Sequence, residues 1–344
     1  MRIEIFHWNA WIAMISSTTC IEAPDIDRIR AVADAISPHV IRTATVPWPV
    51  PCDVGGPDME LFIKMELLQR TGSFKARGAI NVIAHAMRAE TQDAFPGVTA
   101  FSAGNHAIAT AYAANRLGTT AKVVMPRTAN AFRREQCEAY GAEIVYGDTI
   151  SDLIRIVGQI QAEEDRYLVH PFEGIHTIEG TATVGMELCD DVAALDAVIV
   201  PVGGGGLIAG IACAVKQMQP NCAVIGVEPH GANGMQQSLR QKQPVDVVEV
   251  DTIADSLGAP MHAPVSFGVV KRYVDEIVCV SDQQMQKGML QMFAQMKLAV
   301  EPACAASIAA LQGPLAGRMA GMRVALIGCG SNIDLATYHR LSAS

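Results

Sequence analysis

Four consecutive glycines, Gly203, Gly204, Gly205 and Gly206, follow the apolar run 198–202 and lead into a helix-like segment that begins at Leu207. A strand, a bare loop and a helix N-terminus in that order let backbone N–H groups converge on an anion, and the helix end adds partial positive charge. The spacing is neither a dinucleotide GxGxxG with its downstream acid nor a Walker loop with its lysine. The run therefore specifies an anion, phosphate foremost, or else a plain tight turn. A second segment, 71–78, sets Lys75 among small residues directly ahead of the helical-looking stretch 79–87. Such a lysine sits either at the bottom of a cleft or, like most lysines, in solvent at a helix start. Ser102-Ala103-Gly104-Asn105-His106 is a strand-to-helix loop that presents N–H groups outward, and its Asn105 can cap the following helix. Glu301 ahead of Pro302 reads as a helix start with proline at the first position. Cys329, after the apolar run 324–327, reads as a buried thiol.

The elements that must hold these residues alternate. Between positions 97 and 172 short apolar runs at 98–102, 121–125, 143–146 and 167–170 are separated by helical segments at 106–117, 130–140 and 150–164. Gly118 and Gly141 stand where C-caps belong. That order specifies a small parallel sheet with right-handed crossovers. A second series follows, with strands near 197–201, 223–227, 276–280 and 324–327 and helices that include 207–218 and 283–296. The reading is α/β in two units, each a mainly parallel sheet flanked by helices: 1–90 with 171–344 as a large unit and 91–170 as a small one that carries the 102–106 loop. With 344 residues, half of them hydrophobic, the chain is long enough for two cores.

Composition removes other classes. There are 35 acidic against 26 basic side chains, a net charge of −9, and no basic run, so a nucleic-acid footprint is missing. Nine cysteines without a CxxC pair fit reduced thiols and a cytoplasmic setting better than disulfides or zinc. The apolar stretch 5–15 is too short to span a bilayer and lacks a signal-peptide pattern, so no membrane partner is expected. Pro24 and Asp25, with Ile29, Val32 and Ile36 at helical spacing, start the folded body near Ala23.

In order and spacing, the segment 63–79 that ends Thr71-Gly72-Ser73-Phe74-Lys75-Ala76-Arg77-Gly78-Ala79, the loop 102–106, Gly203–Leu207, Glu301-Pro302-Ala303 and Cys329-Gly330-Ser331-Asn332 resemble the fold-type II pyridoxal-phosphate enzymes. The likeness is to their serine/threonine dehydratase and serine racemase branch, and it covers nearly the whole chain after Ala23. It implies a tryptophan synthase β-like architecture and pyridoxal 5'-phosphate held by Lys75 as a Schiff base. It also implies a cofactor site made of Phe74, Lys75, Asn105, Gly203, Gly204, Gly205, Gly206, Leu207, Glu301 and Cys329. The substrate carboxylate would lie on Ser102, Ala103, Gly104, Asn105 and His106. Lys75 is then both anchor and base, and the expected reaction is elimination from a 3-hydroxy amino acid such as L-threonine, L-serine or 3-hydroxyaspartate, giving a 2-keto acid and ammonia.

Departures from the branch refine this expectation. Ala103 stands where racemases carry the serine that serves the opposite face, which ranks lyase above racemase. A β-replacement synthase on the same fold is the other alternative. A neutral thiol at Cys329 cannot hold a pyridine nitrogen protonated, which suits elimination better than transamination. Gly234 occupies the aspartate place of the racemase cation site near Glu228, so no metal is expected. Arg42-Thr43-Ala44-Thr45 departs from the usual Arg-Thr-Pro-Leu, and Ser256 replaces a customary glycine. The short segment after Cys329 leaves no room for a regulatory domain, so isoleucine feedback is not expected, and the resemblance implies a homodimer or a dimer of dimers.

Overall fold

The computed structural model of the chain describes residues 22–49, 58–90, 95–245 and 248–342. The apolar stretch 5–15, Cys20 and Cys52 lie outside the described residues. The first described helix, Ile26–Ile36, is capped by Asp25, whose side chain accepts from the Arg28 N–H at 2.7 Å, and it buries Ile29, Val32 and Ile36.

Among the described residues ten strands form two sheets. Strands β1 (Thr45–Trp48) and β2 (Glu60–Lys64) pair antiparallel. Next come β3 (Val98–Phe101), β4 (Ala121–Pro126), β5 (Glu143–Gly147) and β6 (Tyr167–Leu168), which make an all-parallel sheet in the order β5-β4-β3-β6. Finally β7 (Ala197–Pro201), β8 (Ala223–Pro229), β9 (Glu276–Val280) and β10 (Arg323–Ile327) join β1 and β2 in a six-stranded sheet ordered β1-β2-β10-β7-β8-β9. Each sheet has its own apolar core. Every residue of β7 is buried, as befits a central parallel strand covered on both faces. The α/β reading of two alternating series therefore holds, and the helix Ile150–Glu164 starts and stops where the pattern placed it.

Three helices pack on one another, Lys75–Ala89, Ile175–Asp191 and Gly206–Met218, and the first and last begin at the candidate site residues Lys75 and Gly206. They pack so closely that a Cβ on Gly180 would come within 2.6 Å of the Arg77 carbonyl oxygen. Two sequence expectations need correction here. The helix expected over 79–87 begins four residues earlier, so Lys75 is its first residue. Segments 45–48, 60–64 and 175–191, unassigned in the sequence reading, are two strands and a 17-residue helix.

Candidate active site

Lys75 is fixed from two sides. Gly72 takes a left-handed turn (φ +68°), Ser73 bridges to Gly330, the Phe74 N–H donates to the Cys329 carbonyl at 3.2 Å, and the Ser331 N–H donates to that of Gly72 at 2.9 Å. The lysine segment is thereby laced to the loop after β10 before the helix begins. The Lys75 amine is drawn inward and donates to the Pro171 carbonyl, with no carboxylate in ion-pair range among the described residues. Burial pushes its pKa down to about 8, and the nearby Cys329 and Glu301 oppose that only in part. A lysine left without a counter-charge is easily deprotonated, which makes it nucleophilic near neutral pH.

The segment after β6 lies between this amine and the glycine loop. A Cβ on Gly204 would run into the Phe172 ring, and one on Gly206 would stand 2.5 Å from the Phe172 carbonyl oxygen. Gly205 is left-handed (φ +95°) and forms the N-terminal boundary of the Gly206–Met218 helix. Only glycines fit this turn and the close approach. The imidazole of His106 sits 2.8 Å from the Val169 carbonyl, and burial, reinforced by the charge of Lys75, pushes its pKa down to about 3. Burial likewise holds His170 well below the usual range, and its Nδ1 accepts from the Glu173 N–H at 2.9 Å. Neither imidazole carries a charge at neutral pH, so neither repels a charged Lys75 or attracts an anion.

On the far side of Lys75 lies a polar cluster. The Asn105 amide donates to Glu301 at 2.6 Å and accepts from the Asn332 amide at 2.7 Å, while Ser256 donates to the other Glu301 oxygen at 3.0 Å. Arg133 bonds Asp255 with both terminal nitrogens and reaches Glu301 at 3.3 Å and the Asn332 carbonyl at 3.1 Å. Burial raises the pKa of Glu301 despite Arg133. The hydrogen bond to the Cys304 thiol, then burial, hold Cys329 well above the ordinary thiol range, so it stays neutral.

The sequence-selected residues fall as follows. Phe74, Lys75, His106, Gly206 and Leu207 line one small enclosed space. Ala103 and Glu301 line a larger cleft of about 390 Å³. Asn105, Glu301 and Asn332 join in one bonded cluster, and the Gly104 N–H donates to the Ser102 hydroxyl at 3.0 Å. Asn105 does not cap its helix: Gly104 holds the cap position, and the Asn105 side chain turns to Glu301 instead. Glu301 does precede a helix with proline at its start, Pro302–Gln312, and also faces the cluster. The sequence reading missed Arg133, Cys304 and Phe172. Arg133 has no local signal, since its partners lie 122, 168 and 199 residues away. Glu228 accepts from the Met235 and Gln236 N–H groups, both at 2.8 Å, and among the described residues no metal-binding cluster occurs.

A phosphorylated aldehyde cofactor fits these residues. Among the described residues the amine has no competing carboxylate and the buried Ser73 hydroxyl has no partner, the glycine cradle would be filled by any Cβ, and the thiol of Cys329 is neutral. Residues 36–330 match the family described as pyridoxal-phosphate dependent enzyme. Phenylserine dehydratase of Ralstonia pickettii is 47% identical over 284 residues, 83% of this chain and 86% of the relative. L-threonine ammonia-lyase of Thermotoga maritima is 38% identical over 283 residues, 82% of this chain and 69% of the relative. Among solved structures, maize serine racemase superposes with a TM-score of 0.85 at 34% identity, covering 93% of this chain and 97% of its own.

Proposed function

This chain belongs to the pyridoxal-phosphate dependent enzymes, and we propose that within them it is an ammonia-lyase that converts a 3-hydroxy amino acid to a 2-keto acid and ammonia. When bound, the cofactor supplies an aldehyde for an amine and a conjugated ring that takes up the charge left at a deprotonated carbon. Lys75 would hold it, Gly203–Gly206 would receive its phosphate at the helix N-terminus, and Cys329 would face its ring nitrogen as a neutral partner. The substrate carboxylate would rest against the loop Ser102–His106. The Lys75 amine would take the α-proton, and the β-hydroxyl would leave as water, the proton gained by Lys75 balancing the one the departing hydroxide takes up. Water then re-enters to release ammonia, so the net change is RCH(OH)CH(NH3+)COO− to RCH2COCOO− and NH4+.

The observation that carries this reading is the inward-turned Lys75 amine, without a carboxylate partner among the described residues, in one small space with Gly206 and Leu207 and on a segment laced to the Cys329 loop. The lyase ranking over the racemase rests on Ala103, which brings no ionisable group to the loop. The relatives are named for phenylserine, L-threonine and L-threo-3-hydroxyaspartate lyases as well as for serine racemase, and these substrates share one reacting centre. A homodimer or dimer of dimers completes the proposal on the strength of the family resemblance, and the free cysteines Cys137, Cys189, Cys213, Cys222, Cys279, Cys304 and Cys329 support a reducing cytoplasm. Among the described residues no helix is long and apolar enough to cross a membrane. The test is an assay of the cofactor-loaded protein with L- and D-3-hydroxy amino acids, scoring keto acid and ammonia together, with Lys75→Ala as control. Equal amounts of both products, lost in the variant, are expected. Inversion of serine without ammonia, or turnover only with an added nucleophile, would place the enzyme in another reaction class.

A further inference from the structure

The cleft of about 390 Å³ beside Glu301 is a different space from the small one around Lys75; Glu301 on its wall accepts from Asn105, whose chain neighbour His106 lines the small one. Its apolar wall is made by Ala103, Pro126, Ala129, Ile253, Ile333 and Leu341. Its polar groups are largely bonded to one another. Arg133 is bound by Asp255 and Glu301, Asn130 donates to Asp334 at 2.6 Å, and Asn332 is held by Asn105. No cation deep in the cleft is left over for a carboxylate, and Asp255, Glu301 and Asp334 all line it, so a second negative charge would be repelled. Arg340 lies exposed at the lip.

Size and position point the same way. An apolar cavity of roughly 150 Å³ holds a benzene molecule, so even with the Glu301 end given to the cofactor this cleft has room for an aryl ring, whereas the hydrogen or methyl group on Cβ of serine or threonine would leave its apolar wall to water. Ala103 belongs both to the cleft wall and to the loop assigned to the α-carboxylate. A substrate with its carboxylate on that loop and its amine toward Lys75 therefore has its remaining substituent beside this opening. We infer that the cleft is the subsite for the β-substituent and that the preferred substrates are 3-hydroxy amino acids with an uncharged aryl group at Cβ. This inference rests on the ammonia-lyase reading above.

The test uses the cofactor-loaded enzyme with both diastereomers of phenylserine, with threonine, serine and 3-hydroxyaspartate, and with the filling variants Ala129→Phe and Ile333→Phe. The expected result is a kcat/KM for one phenylserine at least about tenfold above that for threonine, with the phenylserine-to-serine ratio falling by about thirtyfold or more in either variant that folds. Calorimetric titration with L-phenylalanine and L-alanine, which lack the leaving hydroxyl, gives a readout independent of turnover. Tighter binding of phenylalanine in the wild type, weakened in the variants, is expected. Equal or better turnover of threonine or 3-hydroxyaspartate, or filling variants that leave the ratio unchanged, overturns the inference while the lyase reading stands. No turnover of any hydroxy amino acid overturns the lyase reading itself.

Discussion

Lys75 and Arg77 lie two residues apart on one helix, Lys75 half-buried with its amine turned inward and Arg77 fully buried, yet their surroundings are opposite. Arg77 is fully buried and forks onto Glu66 and Glu187 through four contacts of 2.7–2.8 Å, with Thr183 at 3.0 Å and the Ile41 carbonyl at 3.1 Å. Lys64, also fully buried, completes the group at 2.8 Å from Glu187. Burial alone would favour a neutral Arg77, but the carboxylates overcome it and hold its pKa above the ordinary value. Lys75 meets the Pro171 carbonyl and the Phe74 ring, 5.2 Å away, but no carboxylate in ion-pair range among the described residues, and burial wins. A charge matched inside the protein is structural, and a charge left unmatched is chemically available. Helical phase separates the two: Arg77 faces the Ile175–Asp191 helix and the strand side, Lys75 the loop junction.

Replacing each cation should break this contrast in opposite directions. Lys75→Ala should lower lyase turnover by more than about 10³-fold, because both the anchor and the base are lost. Arg77→Met should strand Glu66 and Glu187 without a full counter-charge and cost about 3–5 kcal/mol, read as a lower midpoint in denaturant titration. Equal stability losses for Lys75→Met and Arg77→Met in the cofactor-free protein would remove the distinction.

A pH titration sharpens it. The folded-state pKa of Lys75, about 8, lies below its ordinary value of 10.5, so between those values the unfolded chain binds more protons. The stability contribution of Lys75 therefore rises as pH rises through that window, and below pH 8 the folded protein carries the whole penalty, on the order of 3 kcal/mol. Cofactor-free Lys75→Met should be more stable than the wild type at pH 7, with the difference shrinking toward pH 10.5. The rate at which the cofactor-free protein takes up pyridoxal phosphate, followed by absorbance, should rise with a midpoint near pH 8. A midpoint near 10.5 would show an ordinary lysine.

The alternating strands and helices were legible because their apolar runs are local. Gly118 caps its helix in the left-handed conformation (φ +75°), as its place after Leu117 indicated. The Ile175–Asp191 helix was not legible. It is rich in Thr and Gly, which favour helix weakly, and it is buried almost all round, so no amphipathic period marks it. The strand Thr45–Trp48 is broken in pattern by Pro47 and sits at the sheet edge, where proline is tolerated. In the site, the short segments 71–78, 102–106 and 203–207 could be selected because their residue types are unusual in combination. The partners that set their chemistry, Arg133 for Glu301 and Cys304 for Cys329, come from distant sequence and carry no local mark.

The same contrast extends, more weakly, to two buried carboxylates. Glu66 is buried too, but Arg77, Thr43 and Lys64 bring its pKa below the ordinary value. Glu301 has Arg133 shared with Asp255, plus the amide of Asn105 and the hydroxyl of Ser256, and burial keeps its pKa raised. Ser256 donates to the carboxylate and so favours the charged form. In Ser256→Ala the Glu301 pKa should rise further, since one of the donors opposing burial is removed. The expected loss is modest, about 0.5–1.5 kcal/mol for one hydrogen bond, a few-fold in kcat/KM. The diagnostic is the pH profile: if ionised Glu301 supports turnover, the acid limb of kcat/KM should move to higher pH in Ser256→Ala, with Ser256→Thr restoring it. A uniform drop at all pH values would mean that Ser256 only packs the cleft mouth and that Glu301 does not titrate in the working range.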